Sequence, residues 1–198
     1  MASEKKYKRK SIRLKDYDYS QSGAYFVTIC TKNRECLFGE VVGEIAELSW
    51  VGNIAHKVWC KIPEHFNNVE LYEFVVMPNH LHGIIFVANN VGATLVVAQN
   101  NRAGTSPAPT LGKIIGSFKS LCIHECIKNQ LNVSKLWQRN YYEHIIRNDK
   151  ELNRIREYIY YNPLKWDLDI ENPTTWKNGK KISIEKYYKN IFEGREVF

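Results

Sequence analysis

His80 and His82 stand one residue apart in the run Val76-Met77-Pro78-Asn79-His80-Leu81-His82-Gly83-Ile84-Ile85-Phe86-Val87. Along a strand, side chains alternate faces, so both imidazoles would project the same way. Two ring nitrogens on one face can grip a divalent cation without help from a flexible loop. A structural pair is the competing reading, because His-x-His alone is a weak motif. The surroundings favour a metal. Phe74, Val75 and Val76 precede the pair and Ile84 to Val87 follow it, and polar rings buried unpaired in such a strand would cost about 1–3 kcal/mol each.

A second set of reactive groups lies far downstream. Asn148-Asp149-Lys150-Glu151 has the spacing of a capping box and opens a helix that Pro163 should end near Asn162. Leu152, Ile155 and Ile159 form its apolar stripe, while Tyr158 and Asn162 lie together on the edge, roughly 40° apart. Both could face the sheet surface that carries the imidazoles. A phenol beside a two-histidine metal site is suited to covalent phosphoryl transfer. Its unperturbed pKa near 10 makes ionisation cost about 4 kcal/mol at pH 7, and a cation on the phosphate would neutralise developing charge. Asn162 could add an oxygen ligand. For Tyr158, packing into the core beside Tyr160 and Tyr161 is the alternative.

These groups need a sheet and helices to hold them. Gly23 to Thr31 reads as a first strand, Glu44 to Lys61 as a helix, about Val69 to Met77 as a second strand and His80 to Val87 as a third. Leu111, Ile114, Ile115, Phe118, Cys122 and Cys126 repeat at helical spacing. The order predicts an α+β fold, an antiparallel sheet with helices covering one face. Residues 1–20 read as a basic arm, about 88–110 as a flexible loop rich in Asn, Gly, Ser and Pro, 21–166 as the one domain and 167–198 as a C-terminal tail. A P-loop-like string at Gly112 to Ser120 has the wrong spacing and no preceding strand.

With 198 residues the chain suits one domain. Its 28 Lys and Arg against 21 Asp and Glu, with 13% aromatic residues, point to a nucleic-acid partner. Five cysteines without a C-x-x-C argue against a disulfide framework and a zinc ribbon. No run approaches the roughly 18 apolar residues of a membrane span, and no apolar segment of signal-peptide length follows the basic N-terminus. A cytoplasmic protein with no membrane partner is expected.

Three ordered blocks carry a family resemblance. Met77-Pro78-Asn79-His80-Leu81-His82-Gly83, then Leu136-Trp137-Gln138-Arg139-Asn140-Tyr141-Tyr142-Glu143-His144-Ile145-Ile146-Arg147-Asn148, then Tyr158-Ile159-Tyr160-Tyr161-Asn162-Pro163 resemble the REP-associated tyrosine transposases, relatives of the single-tyrosine HUH transposases of small insertion sequences. The resemblance covers about residues 10–166. It implies a ferredoxin-like or RRM-like sheet, a single-stranded or hairpin DNA substrate, Mg²⁺ or Mn²⁺, and attack on a DNA phosphate that leaves a 5′-phosphotyrosine and a free 3′-hydroxyl. Residue by residue, His80 and His82 match the metal-binding pair, Leu81 the hydrophobic position between them, Tyr158 the nucleophile and Asn162 the third ligand, a position often held by Gln in the wider family.

Contacts to DNA would fall to cations and aromatics near these blocks. Arg139, Arg147 and Arg154 are candidates for phosphate, as are Arg9, Lys10 and Arg13 of the arm and Lys119 of the Leu111 helix. Trp137 could stack on a base or pack on the sheet. His144 could be a structural ring or support the site. A monomer and a homodimer both fit. Two other classes stay open: a non-catalytic DNA- or RNA-binding protein derived from a transposase, which would form no covalent adduct, and a metal-dependent phosphodiesterase using water, which would not need Tyr158.

Overall fold

The computed structural model describes residues 22–88, 110–131, 133, 135–175 and 182–195. The basic arm, with Arg9, Lys10 and Arg13, and nearly all of the loop at 88–110 lie outside them. In chain order the elements are β1 (Gly23–Cys30), β2 (Gly39–Val42), β3 (Ile45–Leu48), α1 (Trp50–Cys60), α2 (Ile62–His65), β4 (Val69–Met77), β5 (His80–Val87), α3 (Leu111–Lys128), β6 (Tyr142–Ile146), α4 (Asp149–Tyr160) and α5 (Ile184–Glu193).

Four strands make the main sheet in the order β4-β5-β1-β6, and every neighbouring pair is antiparallel. Counting only these strands, the order is 2-3-1-4, the ferredoxin-like arrangement expected. β4 and β5 form a hairpin whose Met77↔His80 pair closes on Pro78 and Asn79, so the imidazoles begin a strand fixed at its first residue.

One expected element differs. Residues 44–61 are not one helix, because Ile45–Leu48 pairs with Gly39–Val42 as a small hairpin. Gly43 and Glu44 form its loop with φ of 51° and 72°, the positive-φ pair of a type I′ turn. The helix begins only at Trp50, where the Ser49 hydroxyl accepts from the Gly52 N–H.

Strand alternation gives the sheet two different faces. Tyr25, Val27, Ile29, Leu81, Ile85 and Val87 point into a large core closed by α1 and α3. Gly83 lies on that side beneath Trp59, where a Cβ would come within 2.4 Å of the indole, so only glycine admits the ring. The expected helical layer is there. The other face is covered as well: Phe26 and Ile84 meet Ile155 and Ile159 of α4 and Tyr187, Tyr188 and Phe192 of α5. α4 starts where expected, with the Asn148 side chain accepting from the Glu151 N–H, and Arg156 ties it to Glu73 of β4 at 2.8 Å. The segment read as a tail thus supplies a helix and part of a second core. Among the described residues no helix is long and apolar enough to cross a membrane.

Candidate active site

His80 and His82 leave β5 on the α4/α5 face, fully buried, with ring centroids 4.3 Å apart. Each ring is held through Nδ1. Asn79 Oδ1 lies 2.8 Å from Nδ1 of His80, and Thr28 Oγ1 of β1 lies 2.9 Å from Nδ1 of His82. This leaves both Nε2 atoms for the interior of the site. His80 Nε2 is buried and has no hydrogen-bond partner.

Tyr158 reaches the same place from α4. Its hydroxyl lies 3.1 Å from His82 Nε2 and donates to Asp169 Oδ2 at 3.0 Å. Asn162, beyond the helix end, donates from Nδ2 to that same carboxylate oxygen at 2.6 Å, while its Oδ1 is buried and unpartnered. Asp169 follows the short turn Trp166–Leu168 and is pinned by the Glu171 N–H on Oδ1 at 2.6 Å. Behind it, the Glu171 carboxylate pairs with Arg34 at 2.8 Å, and the Glu171 carbonyl accepts from Asn79 Nδ2 at 2.9 Å.

Among the described residues, His80, His82 and Asp169 are the group of His, Cys, Asp or Glu whose ligand atoms all lie within 4.8 Å of one another. Two imidazoles and a carboxylate suit a divalent cation. The unpartnered His80 Nε2 and Asn162 Oδ1 are the orphaned donor atoms such an ion would satisfy. The residues therefore fit a metal, with Asp169 as a carboxylate ligand and Asn162 Oδ1 beside it.

The electrostatics agree. Burial, then the neighbouring His82 ring, pushes the His80 pKa well down, keeping that ring neutral as a ligand must be. Burial would raise the Asp169 pKa, but the adjoining imidazoles and the Glu171 N–H outweigh it and hold the carboxyl well below its usual range. Burial and then the Asp169 charge push the Tyr158 phenol well up. Without an added positive charge, Tyr158 keeps its proton.

Several of the residues expected to contact DNA also make contacts within the chain. Lys119 Nζ is caught by the backbone carbonyls of Gln138 at 2.8 Å and Asn140 at 3.2 Å. The Trp137 indole donates to the Lys119 carbonyl at 3.2 Å and packs on Phe38 and Phe118. Both belong to the α1/α3 side, where these contacts hold the loop at residues 138–140 against α3. His144 pairs with Glu151 at 2.8 Å, joining β6 to the start of α4. Arg139 and Arg147 are exposed at either end of β6. Arg154 donates to the Phe192 carbonyl at 2.9 Å and lines a cleft of about 430 Å³ with Lys165, Arg195, Tyr158, Asn162 and Asp169. Asp169, Glu171 and Tyr188 are site residues the sequence reading did not find. The signal for Tyr188 was present: Ile184, Tyr187, Tyr188, Ile191 and Phe192 carry the stripe of an amphipathic helix. No comparable pattern marks Asp169.

No protein-family model matches the chain. An uncharacterized protein of Haemophilus influenzae is 44% identical over 167 residues, covering 81% of this chain and 91% of that protein. A second protein of that organism, described as a putative REP-associated tyrosine transposase, is 27% identical over 154 residues, 75% of this chain and 74% of the relative. Among solved structures, a REP-associated tyrosine transposase bound to a REP hairpin superposes with a TM-score of 0.54 at 20% identity, over 78% of this chain and 74% of the other.

Proposed function

The chain is similar to the REP-associated tyrosine transposases, and on that premise we propose that it cleaves and rejoins single-stranded DNA carrying hairpin-forming repeats through a 5′-phosphotyrosine intermediate, with Mg²⁺ or Mn²⁺ as cofactor. One observation carries the reading. The Tyr158 hydroxyl lies 3.1 Å from His82 Nε2 within a single chain, beside a His80 nitrogen that has no other partner.

In the cleaving step the Tyr158 oxygen bonds to phosphorus as the bond from phosphorus to the 3′-oxygen breaks. The phenol's proton, which in the resting site is donated to Asp169, is released to water as the bond forms, and water protonates the leaving 3′-oxygen. Rejoining reverses this: a 3′-hydroxyl attacks the phosphotyrosine and the phenol recovers its proton. His80, His82 and Asp169 would hold the cation, with Asn162 Oδ1 adjacent, and a bound cation supplies charge neutralisation at the phosphoryl oxygens. The cations of the cleft, Arg154, Lys165 and Arg195, would receive the strand's phosphates.

The test is to incubate the full chain with hairpin-bearing single strands and Mn²⁺, then locate the nucleotide-bearing residue by mass spectrometry. A nucleotide on Tyr158, lost in excess EDTA, is expected. Hairpin binding with no adduct under any metal condition would instead leave a DNA-binding protein derived from a transposase. Metal-dependent cleavage without an adduct would make it a phosphodiesterase that uses water.

A further inference from the structure

Asn79, in the turn between β4 and β5, engages both polar atoms of its side chain. Its Nδ2 donates to the Glu171 carbonyl at 2.9 Å and to the Arg34 carbonyl at 3.2 Å, while its Oδ1 lies 2.8 Å from Nδ1 of His80. The residue is fully buried. Backbone carbonyls can only accept, so the carboxamide nitrogen must face them and the oxygen must face the ring. An amide oxygen also only accepts. His80 therefore carries its proton on Nδ1, and the lone pair falls on Nε2, the buried atom with no partner.

Asn162 is fixed by the same reasoning. Its Nδ2 donates to the Asp169 carboxylate, its Oδ1 is left buried and unpartnered, and its side chain bears on the His80 ring. Two acceptors thus stand in one buried site without a proton to share. In the other tautomer His80 would have a proton on Nε2 to give to Asn162, and both atoms would be satisfied without a metal. We propose that Asn79 is a positioning residue that holds His80 in the tautomer whose Nε2 can ligate, and so keeps that nitrogen from pairing with Asn162 in place of a cation. Its purpose rests on the metal reading above; its geometry does not. His80 keeps this tautomer whichever nitrogen of His82 carries hydrogen.

The tautomer and the metal can be measured separately. Long-range ¹H–¹⁵N spectra of the full chain, metal-free at pH 8, should show the His80 proton on Nδ1. Asn79→Ala should move it to Nε2, and titration with Mn²⁺ by calorimetry should show affinity falling about tenfold, the lower end of what orienting partners of metal-bound histidines contribute. Asn79→Asp should restore the Nδ1 proton, because a carboxylate accepts from that nitrogen as the amide oxygen does. A wild-type proton on Nε2 would overturn the assignment even if neither variant folds. So would a folded Asn79→Ala protein that keeps the Nδ1 proton or binds Mn²⁺ as the wild type does, or an Asn79→Asp protein with the proton on Nε2. A wild-type protein with the Nδ1 proton that binds no Mn²⁺ would sink the metal reading and leave the hold of Asn79 on His80 standing.

Discussion

The two faces of the sheet are built from the same strands and do opposite work. On the α1/α3 face, β1 and β5 contribute Tyr25, Val27, Ile29, Leu81, Ile85 and Val87 to an apolar core. On the α4/α5 face they contribute Thr28, His80 and His82, all buried, and every one of these makes or awaits a polar contact. A period of two lets one strand do both. Stability can be concentrated on one side while the other carries buried polar groups, each costly if left unpaired. The lesson is that the site depends less on the sheet than on what closes over it, which is α4, α5 and the segment carrying Asp169.

The largest break in this comparison is Tyr158→Phe. Removing one oxygen on the α4/α5 face should reduce cleavage and the SDS-resistant protein–DNA adduct to background, while thermal unfolding shifts by no more than about 1 kcal/mol, the value of the hydrogen bonds lost. An adduct at normal yield would move the nucleophile elsewhere. The converse change is Phe118→Ala on the α1/α3 face. Phe118 is 1% exposed and packs edge-on against Trp59, so truncation should cost about 3–5 kcal/mol in denaturant unfolding. Adduct yield per folded molecule should stay unchanged. A loss of activity matching the loss of stability would show that the faces are not separable.

Asp169→Asn has a smaller expected effect, confined to the site. It removes the charge but keeps the shape, and should weaken Mn²⁺ binding about 10–100-fold by calorimetry. Unchanged affinity would return the third-ligand role to Asn162 Oδ1. The contrast between these residues also shows what the sequence could and could not reveal. His80 and His82 were legible because spacing on a strand determines side-chain direction, and Tyr158 and Asn162 because an N-cap fixes the phase of a helix. Asp169 follows a short turn, with no periodicity to place it, and joins the imidazoles only because Trp166–Leu168 folds back. The helix at Ile184–Glu193 was legible from its stripe and its Ser183 cap, yet the blocks that carried the family resemblance stop short of it. The error at Ile45–Leu48 has another cause: apolar residues three apart fit a helix as well as a hairpin, and the turn at Gly43 and Glu44 decided between them.

Lys119 offers the mildest and most specific test, because the sequence places a lysine and the structure decides its partner. Burial pushes its ammonium down to about 8, against roughly 10.4 for an unperturbed lysine. Between those values the unfolded chain holds a proton that the folded chain has released, so this residue's contribution to stability rises with pH across the window and is lost as pH falls through it. Lys119→Met should therefore unfold with a flatter dependence between pH 8 and about 10 than the wild type. Near neutrality, where that contribution is absent, the variant should unfold at nearly the same denaturant concentration as the wild type, with its deficit appearing as pH rises toward about 10. Hairpin affinity should keep its salt dependence in this variant, whereas Arg154→Ala, in the cleft beside Tyr158, should lower the slope by about one counterion. If Lys119→Met lowered that slope instead, the α1/α3 side would have to be counted as part of the DNA surface, and the division of labour between the two faces would fail at the residue where charge makes it easiest to measure.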